Sequence, residues 1–190
     1  MTMAPSISPI EAVYQQRVEA FSAAESRWAG RDRVLSRLRL AVFSAAVAMA
    51  VFGWQGGQRG PWYAAAGAAL GGFFVAVAYH EHVRHQIERY RLLQAINRQA
   101  IARLHRDWKA LPETRVAVPP QHRAAAGDLD LFGHASLFHF LCSANTPIGI
   151  RVLRDWFVEP APAVEIGPRQ QAVAELAPCL DLRQTLILKG

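Results

Sequence analysis

Residues Leu40–Trp54 read LAVFSAAVAMAVFGW and residues Trp62–Tyr79 read WYAAAGAALGGFFVAVAY; neither stretch contains a charged side chain. About 30 Å of hydrocarbon takes roughly 17–25 helical residues to cross. With Leu38 and an Arg39 whose long stem can reach back to the interface, the first stretch attains about 17 residues, near the lower limit. The second has about 18 and is bracketed by aromatic residues of the kind that settle at membrane interfaces. Richness in Ala and Gly would also permit two buried helices of a soluble bundle. The absence of a polar face on either stretch favours lipid.

Between them, Gln55–Pro61 (QGGQRGP) is polar and Gly-rich, which predicts a tight turn with no outer domain and makes the pair a hairpin. Arg27, Arg31, Arg33, Arg37 and Arg39 precede the first stretch, and Arg84, Arg89 and Arg91 follow the second. Only Arg59 lies in the turn. Because basic flanks are retained inside, both termini are expected in the cytoplasm, with the hairpin in a bacterial inner membrane. About 40 residues precede the first apolar run, which does not fit a cleaved signal peptide. Gly67 and Gly71 form a small-x-x-x-small pair, with Gly72 beside them, suited either to packing within the hairpin or to dimerisation.

At 190 residues the chain has room for at most two modules. Its hydrophobic fraction is 52%, yet mean hydropathy is only +0.06, so the apolar residues are concentrated rather than dispersed. A net charge of +6 would permit contact with nucleic acid or anionic lipid, but much of it flanks the apolar runs, where topology already accounts for it. No basic stripe interleaved with aromatics occurs elsewhere, so direct DNA binding is not expected. Cys142 and Cys179 have no C-x-x-C spacing and read as reduced thiols.

Outside the hairpin the periodicity is helical. From Pro9 to Trp28, residues Ile10, Val13, Tyr14, Val18, Phe21 and Trp28 mark an amphipathic helix, with Ser8 as N-cap and Pro9 in the first turn. After the second stretch, Ile87, Tyr90, Gln94, Asn97, Ile101, Leu104 and Trp108 form a seam able to pair with it, interrupted by its two amides. This helix is expected to reach about Ala110, followed by a linker through Pro119 and Pro120. His80, Glu81, His82 and His85 raise the question of a metal site, with His82 and His85 able to share a helical side; solvated interfacial side chains are the simpler reading.

In the C-terminal third, Asp128–Gly133 (DLDLFG) precedes His134–Ser143 (HASLFHFLCS), where Leu137, Phe138, Leu141 and Cys142 define an apolar face. Asp128 and Asp130 lack a third ligand or a base at useful spacing and read as loop and capping residues. Asn145-Thr146-Pro147 signals a cap and a first-turn proline, opening a helix that Pro160 stops; Gly149 in its first turn would permit close helix approach. A further helix carries Arg169, Gln170, Val173 and Leu176, and Pro178 opens a last segment with Leu180, Leu182, Leu186 and Ile187.

In that order DLDLFG, SLFHFL, TPIGIRVLRDWFVEP and EIGPRQQAVAEL resemble the start of the core or lever region of the DNA mismatch repair MutS family, over about Asp128 to Gly190. The family's structural motif falls on Ser136, Leu137, Thr146, Pro147, Gly149, Arg151, Trp156, Pro160, Ile166, Arg169 and Gln170. The resemblance implies scaffold packing that links DNA-clamping elements to an ATPase domain. A hairpin ahead of it is similar in organisation to bacterial MutS-related proteins without a mismatch-reading domain. No G-x-x-x-x-G-K-[ST] loop occurs, so ATP and magnesium, and mismatched DNA, are implied only for a longer relative whose clamp and ATPase lie outside these 190 residues. Phe157-Val158-Glu159 matches the family's base-wedging Phe-x-Glu only superficially, because it ends a scaffold helix.

The expectation is therefore an all-α chain in four parts: an amphipathic helix over 1–37, a transmembrane hairpin over 38–79, a helix and linker over 80–120, and a partial MutS core or lever module over 121–190. Its role would be a membrane-tethered, non-catalytic scaffold with no catalytic, cofactor or metal residues of its own. Its partners would be the bilayer and either a MutS-like ATPase region or a second copy. A small membrane adaptor that binds a partner through its helices is the alternative.

Overall fold

A computed structural model describes residues 8–55 and 59–189, and every regular element among them is helical. Two 47-residue helices, α1 (Pro9–Gln55) and α2 (Arg59–His105), are followed by five short ones: α3 (Arg123–Asp128), α4 (Leu137–Leu141), α5 (Pro147–Val158), α6 (Ala163–Leu176) and α7 (Leu180–Lys189). Single 3-10 turns occupy Trp108–Ala110 and Pro120–His122. Ser8 caps α1 as expected, its Oγ accepting the Glu11 N–H at 3.1 Å. The amphipathic helix then runs into the first apolar stretch without a break; no proline lies between Trp28 and Leu40, and the single Gly30 is carried within the helix. At 1.5 Å per residue α1 is about 70 Å long. Both α1 and α2 contain a segment long and apolar enough to cross a membrane. The expected turn, Gln55–Pro61, overruns both helix ends: Gln55 closes α1, and Arg59 to Pro61 open α2, where proline is tolerated. Gly56, Gly57 and Gln58 lie outside the described residues.

The chain forms two compact units. In the hairpin unit, Glu19–Gln94, partners on α2 fall in number as those on α1 rise, so the helices are antiparallel. Ring pairs mark the seam: Phe21 with Tyr90, Trp28 with His82, Phe43 with Phe73 and Phe52 with Trp62, at centroid separations of 5.7–6.2 Å. Ala24 and Ala46 on α1, and Val83, Ile87 and Leu93 on α2, are buried. Gly67, Gly71 and Gly72 take no part in this packing, since an added Cβ at each would meet nothing within 4 Å. Of the two roles open to them, close contact within the hairpin is thus corrected. Away from the seam the apolar side chains point outward, among them Leu40, Trp54, Phe74 and Val75, all more than 60% exposed.

The terminal unit comprises Met1–Val18 and Ala95–Gly190. Here α2 stops at His105, short of the expected Ala110. Arg106 adopts φ +54°, Asp107 N–H reaches the Ala102 carbonyl at 2.8 Å and Arg106 N–H that of Arg103 at 3.2 Å, a Schellman stop without glycine. Trp108 then packs on His139 and Phe140 at 5.5 and 5.9 Å. Leu111, the first linker residue, is buried. Phe132, Phe138 and Phe157 form a three-ring cluster with centroids 5.1–6.1 Å apart. It joins the DLDLFG turn, α4 and the end of α5.

Helix α4 departs from the face read in its sequence. Phe138, His139 and Cys142 are buried, whereas Leu137 and Leu141 are half exposed. A helix of five residues is too short for its period to choose the buried side, and the long-range ring cluster chooses it instead. His139 Nδ1 accepts the Ala135 N–H at 3.1 Å, which assigns the ring proton to Nε2, 3.4 Å from the Leu111 carbonyl. Ala135 pays for this with φ +59°. Left-handed backbone costs a side-chain-bearing residue roughly 1–2 kcal/mol, so Ala135→Gly should stabilise the full chain in detergent micelles by up to about 1 kcal/mol, seen as a higher unfolding midpoint by circular dichroism. An unchanged or lower midpoint would contradict the assignment.

Candidate functional site

The motif residues divide between capping and surface. Ser136 is buried and its Oγ accepts the His139 N–H at 3.1 Å while donating to the Gly133 carbonyl at 2.8 Å. Thr146 Oγ1 caps α5 by accepting the Gly149 N–H at 3.1 Å, with Pro147 next in line. Gly149 serves this cap rather than a helix approach: a Cβ there would stand 3.0 Å from Thr146 Oγ1 and 3.3 Å from the Ala144 methyl. Trp156 and Arg169 are brought together, the guanidinium 4.2 Å from the ring centroid and also paired with Glu165. Pro160 lies just beyond α5 and lines a shallow cleft together with Trp156, Glu165 and Arg169. Leu137, Arg151, Ile166 and Gln170 are exposed.

Other candidates separate. His82 stacks on Tyr79 and meets the Trp28 edge, His85 is 3.4 Å from Glu81, and His80 is 3.4 Å from Asp32. Among the described residues no group of three His, Cys, Asp or Glu side chains is placed to hold a metal. Asp128 closes α3 and Asp130 sits in the following turn at φ +47°, so neither caps the next helix. Phe157 is committed to the ring cluster and Glu159 lies 3.8 Å from His122. A base wedge formed from them would have to dismantle that cluster.

A further surface feature lies within the terminal unit. A groove of about 500 Å³ runs between the first turns of α1, the last turns of α2, α4 and α7. Its walls include Ile10, Leu104, Leu141 and Leu186, each 46–60% exposed. Two arginines line it. Arg103 gives Nε and Nη2 to the carbonyls of Phe140 and Cys142 at 3.2 and 2.8 Å, satisfying the C-terminal end of α4. Burial lowers the pKa of Arg103, but the guanidinium stays charged at neutral pH. Arg183 donates to the Ala177 carbonyl at 3.0 Å.

Beneath the groove a polar chain fastens α7. Gln184 Nε2 donates to Asn97 Oδ1 at 2.8 Å, with both side chains buried; Arg17 reaches Gln184 Oε1 at 3.3 Å and pairs with Asp181. Asn97 therefore fills the seam as a hydrogen-bonding position, not as the interruption its amide suggested. In the hairpin unit Gln94 does likewise, donating to Glu25 at 2.7 Å; Glu25 also accepts from Arg91 at 2.7 Å, and that bond raises the Arg91 pKa. His139, Arg103 and Gln184 escaped the sequence reading because their partners lie 28 to 87 residues away.

No family model matches this chain, and neither a curated protein nor a solved structure does so.

Removing one member of a buried hydrogen-bonded pair costs roughly 1–3 kcal/mol, whereas removing both can be nearly neutral. Asn97→Leu should therefore destabilise the chain by that amount and speed amide exchange in α7, and adding Gln184→Leu should recover part of the loss. Strict additivity of the two changes would show that the amides act independently.

Proposed function

We propose that this chain is a membrane-tethered, non-catalytic helical scaffold for a MutS-like, DNA-repair-related ATPase region. The observation that carries the tether is the band of outward apolar side chains on α1 and α2, from Leu40 to Trp54 and from Trp62 to Tyr79, many of them large and exposed. At about 25 cal/mol per Å² such a band strongly favours an apolar surrounding. The basic flanks give the orientation: both termini on the cytoplasmic side of a bacterial inner membrane, with the link between α1 and α2 outside.

The MutS part rests on four sequence motifs in family order. It gains support from the use of Ser136 and Thr146 as N-caps, and from the meeting of Trp156 with Arg169, as scaffold residues would require. In this reading the helical module supports the motion of a nucleotide-driven region. ATP and magnesium belong to that region, and DNA is reached only through it. The groove favours a second reading, a small adaptor that holds a partner protein in the apolar channel between α4 and α7. Reading the coding sequence past Gly190 separates the two: an in-frame phosphate-binding loop favours the scaffold, and an immediate stop favours the adaptor.

Orientation is testable with single cysteines on a Cys142→Ala, Cys179→Ser background. An impermeant maleimide added to intact cells should label Gln58→Cys but should label Ser26→Cys and Thr114→Cys only after lysis. The reverse pattern would refute the proposed topology.

A further inference from the structure

We propose that Ser36, Arg39, Leu40 and Phe43 of α1, with Phe73 of α2, form a seat for one anionic phospholipid, its phosphate at Arg39 and an acyl chain along Leu40 and the two phenyl rings. The inference rests on the membrane reading above and lies wholly within the hairpin unit.

The spacing of the four α1 residues puts them on one helical face. With Phe73 they line a groove of about 410 Å³ whose only charged side chain is Arg39. The two phenyl rings lie 5.7 Å apart, and the Arg39 guanidinium carbon lies 5.6 Å from the Phe73 centroid, which fixes the cation at the polar end of an apolar channel. Arg39 Nε is sealed from solvent with no hydrogen-bond partner, and no ion pair of Arg39 occurs among the described residues. An adjoining polar cavity that also reaches Ser36 holds two carboxylates. There Asp32 lies 3.4 Å from His80, and Glu88 shares the lining with Arg84 and Arg91.

An arginine one residue before an uncharged apolar run thus has no ion-pair partner among the described residues, and an unneutralised charge there is costly. A phosphate suits a guanidinium because its oxygens accept the donors of the planar fork, and Ser36 adds a hydroxyl beside it. A phosphate attached to an acyl chain matches both halves of the groove, whereas a free phosphate would leave Leu40, Phe43 and Phe73 uncovered. The seat differs from the general basic flank. Arg31 already lies over the Trp28 ring at 4.6 Å, and Arg37 does not line this groove.

The test uses the full chain in nanodiscs of phosphatidylcholine with about one tenth phosphatidylglycerol, released into the gas phase for lipid counting by native mass spectrometry. The wild type should retain one phosphatidylglycerol in preference to phosphatidylcholine, and Arg37→Gln should do the same. Arg39→Gln should lose that preference by tenfold or more. Arg39→Lys, which keeps the charge but not the fork, and Phe73→Ala should each weaken it severalfold. Excess inorganic phosphate should not displace the lipid. Retention of phosphatidylglycerol by Arg39→Gln at the wild-type level, or its displacement by inorganic phosphate, would overturn the seat while leaving the tether standing. A chain that never enters the nanodiscs would instead overturn the membrane reading beneath it.

Discussion

A helix satisfies its own backbone hydrogen bonds along its length, and everything in this fold depends on that property. Removed from water, an unpaired N–H or C=O costs several kcal/mol, so an apolar chain can leave water only in a form that pairs each of them internally. Helices α1 and α2 do this over 47 residues each, freeing their side chains to be as apolar on the outside as on the seam. In the hairpin unit the helices meet through ring pairs and small residues, with Ala46 buried and Phe43 against Phe73. Between helices surrounded by hydrocarbon, close packing of this kind has to replace the hydrophobic drive that water provides.

Polar chemistry is correspondingly kept to the stretches outside the apolar runs. Glu25 gathers Arg91 and Gln94, Glu11 lies 2.8 Å from His105, and Asn97 receives Gln184. These contacts are directional where the apolar ones are not, and they fix which residues oppose each other in a pair of long, nearly featureless helices. In the terminal unit they also do what a small core cannot. Helix α6 buries none of its residues, and α7 buries only Gln184, so α7 is fastened largely by hydrogen bonds. Trp156, Val164 and Val173 are left substantially exposed.

The features legible in the sequence were those with local causes. The uncharged runs, the Ser8 and Thr146 caps and the proline boundaries each depend on a few adjacent residues, and the all-helical class followed from them. What stayed hidden depends on partners distant in sequence or on backbone that the residue type does not announce. The extent of α2 is set by Arg106 in a conformation that glycine usually supplies. The buried face of α4 is set by Phe132 and Phe157, and the value of Asn97 by Gln184. Helix α3, in an Ala-rich stretch with no apolar period, announces itself by neither cap nor face. At the candidate site the arginines were visible as charges, but the carbonyls that Arg103 serves belong to a helix end no periodicity located.

Spin labels placed singly along α1 and α2 test the central claim most directly, by comparing relaxation caused by oxygen, which concentrates in hydrocarbon, with that caused by a water-soluble nickel chelate. Labels at Phe43, Val47, Val51, Leu70, Phe74 and Val75 in reconstituted vesicles should favour oxygen, and labels at Glu19 and Arg89 should favour nickel. Nickel-dominated relaxation at all eight positions would place both apolar runs in water and contradict the account.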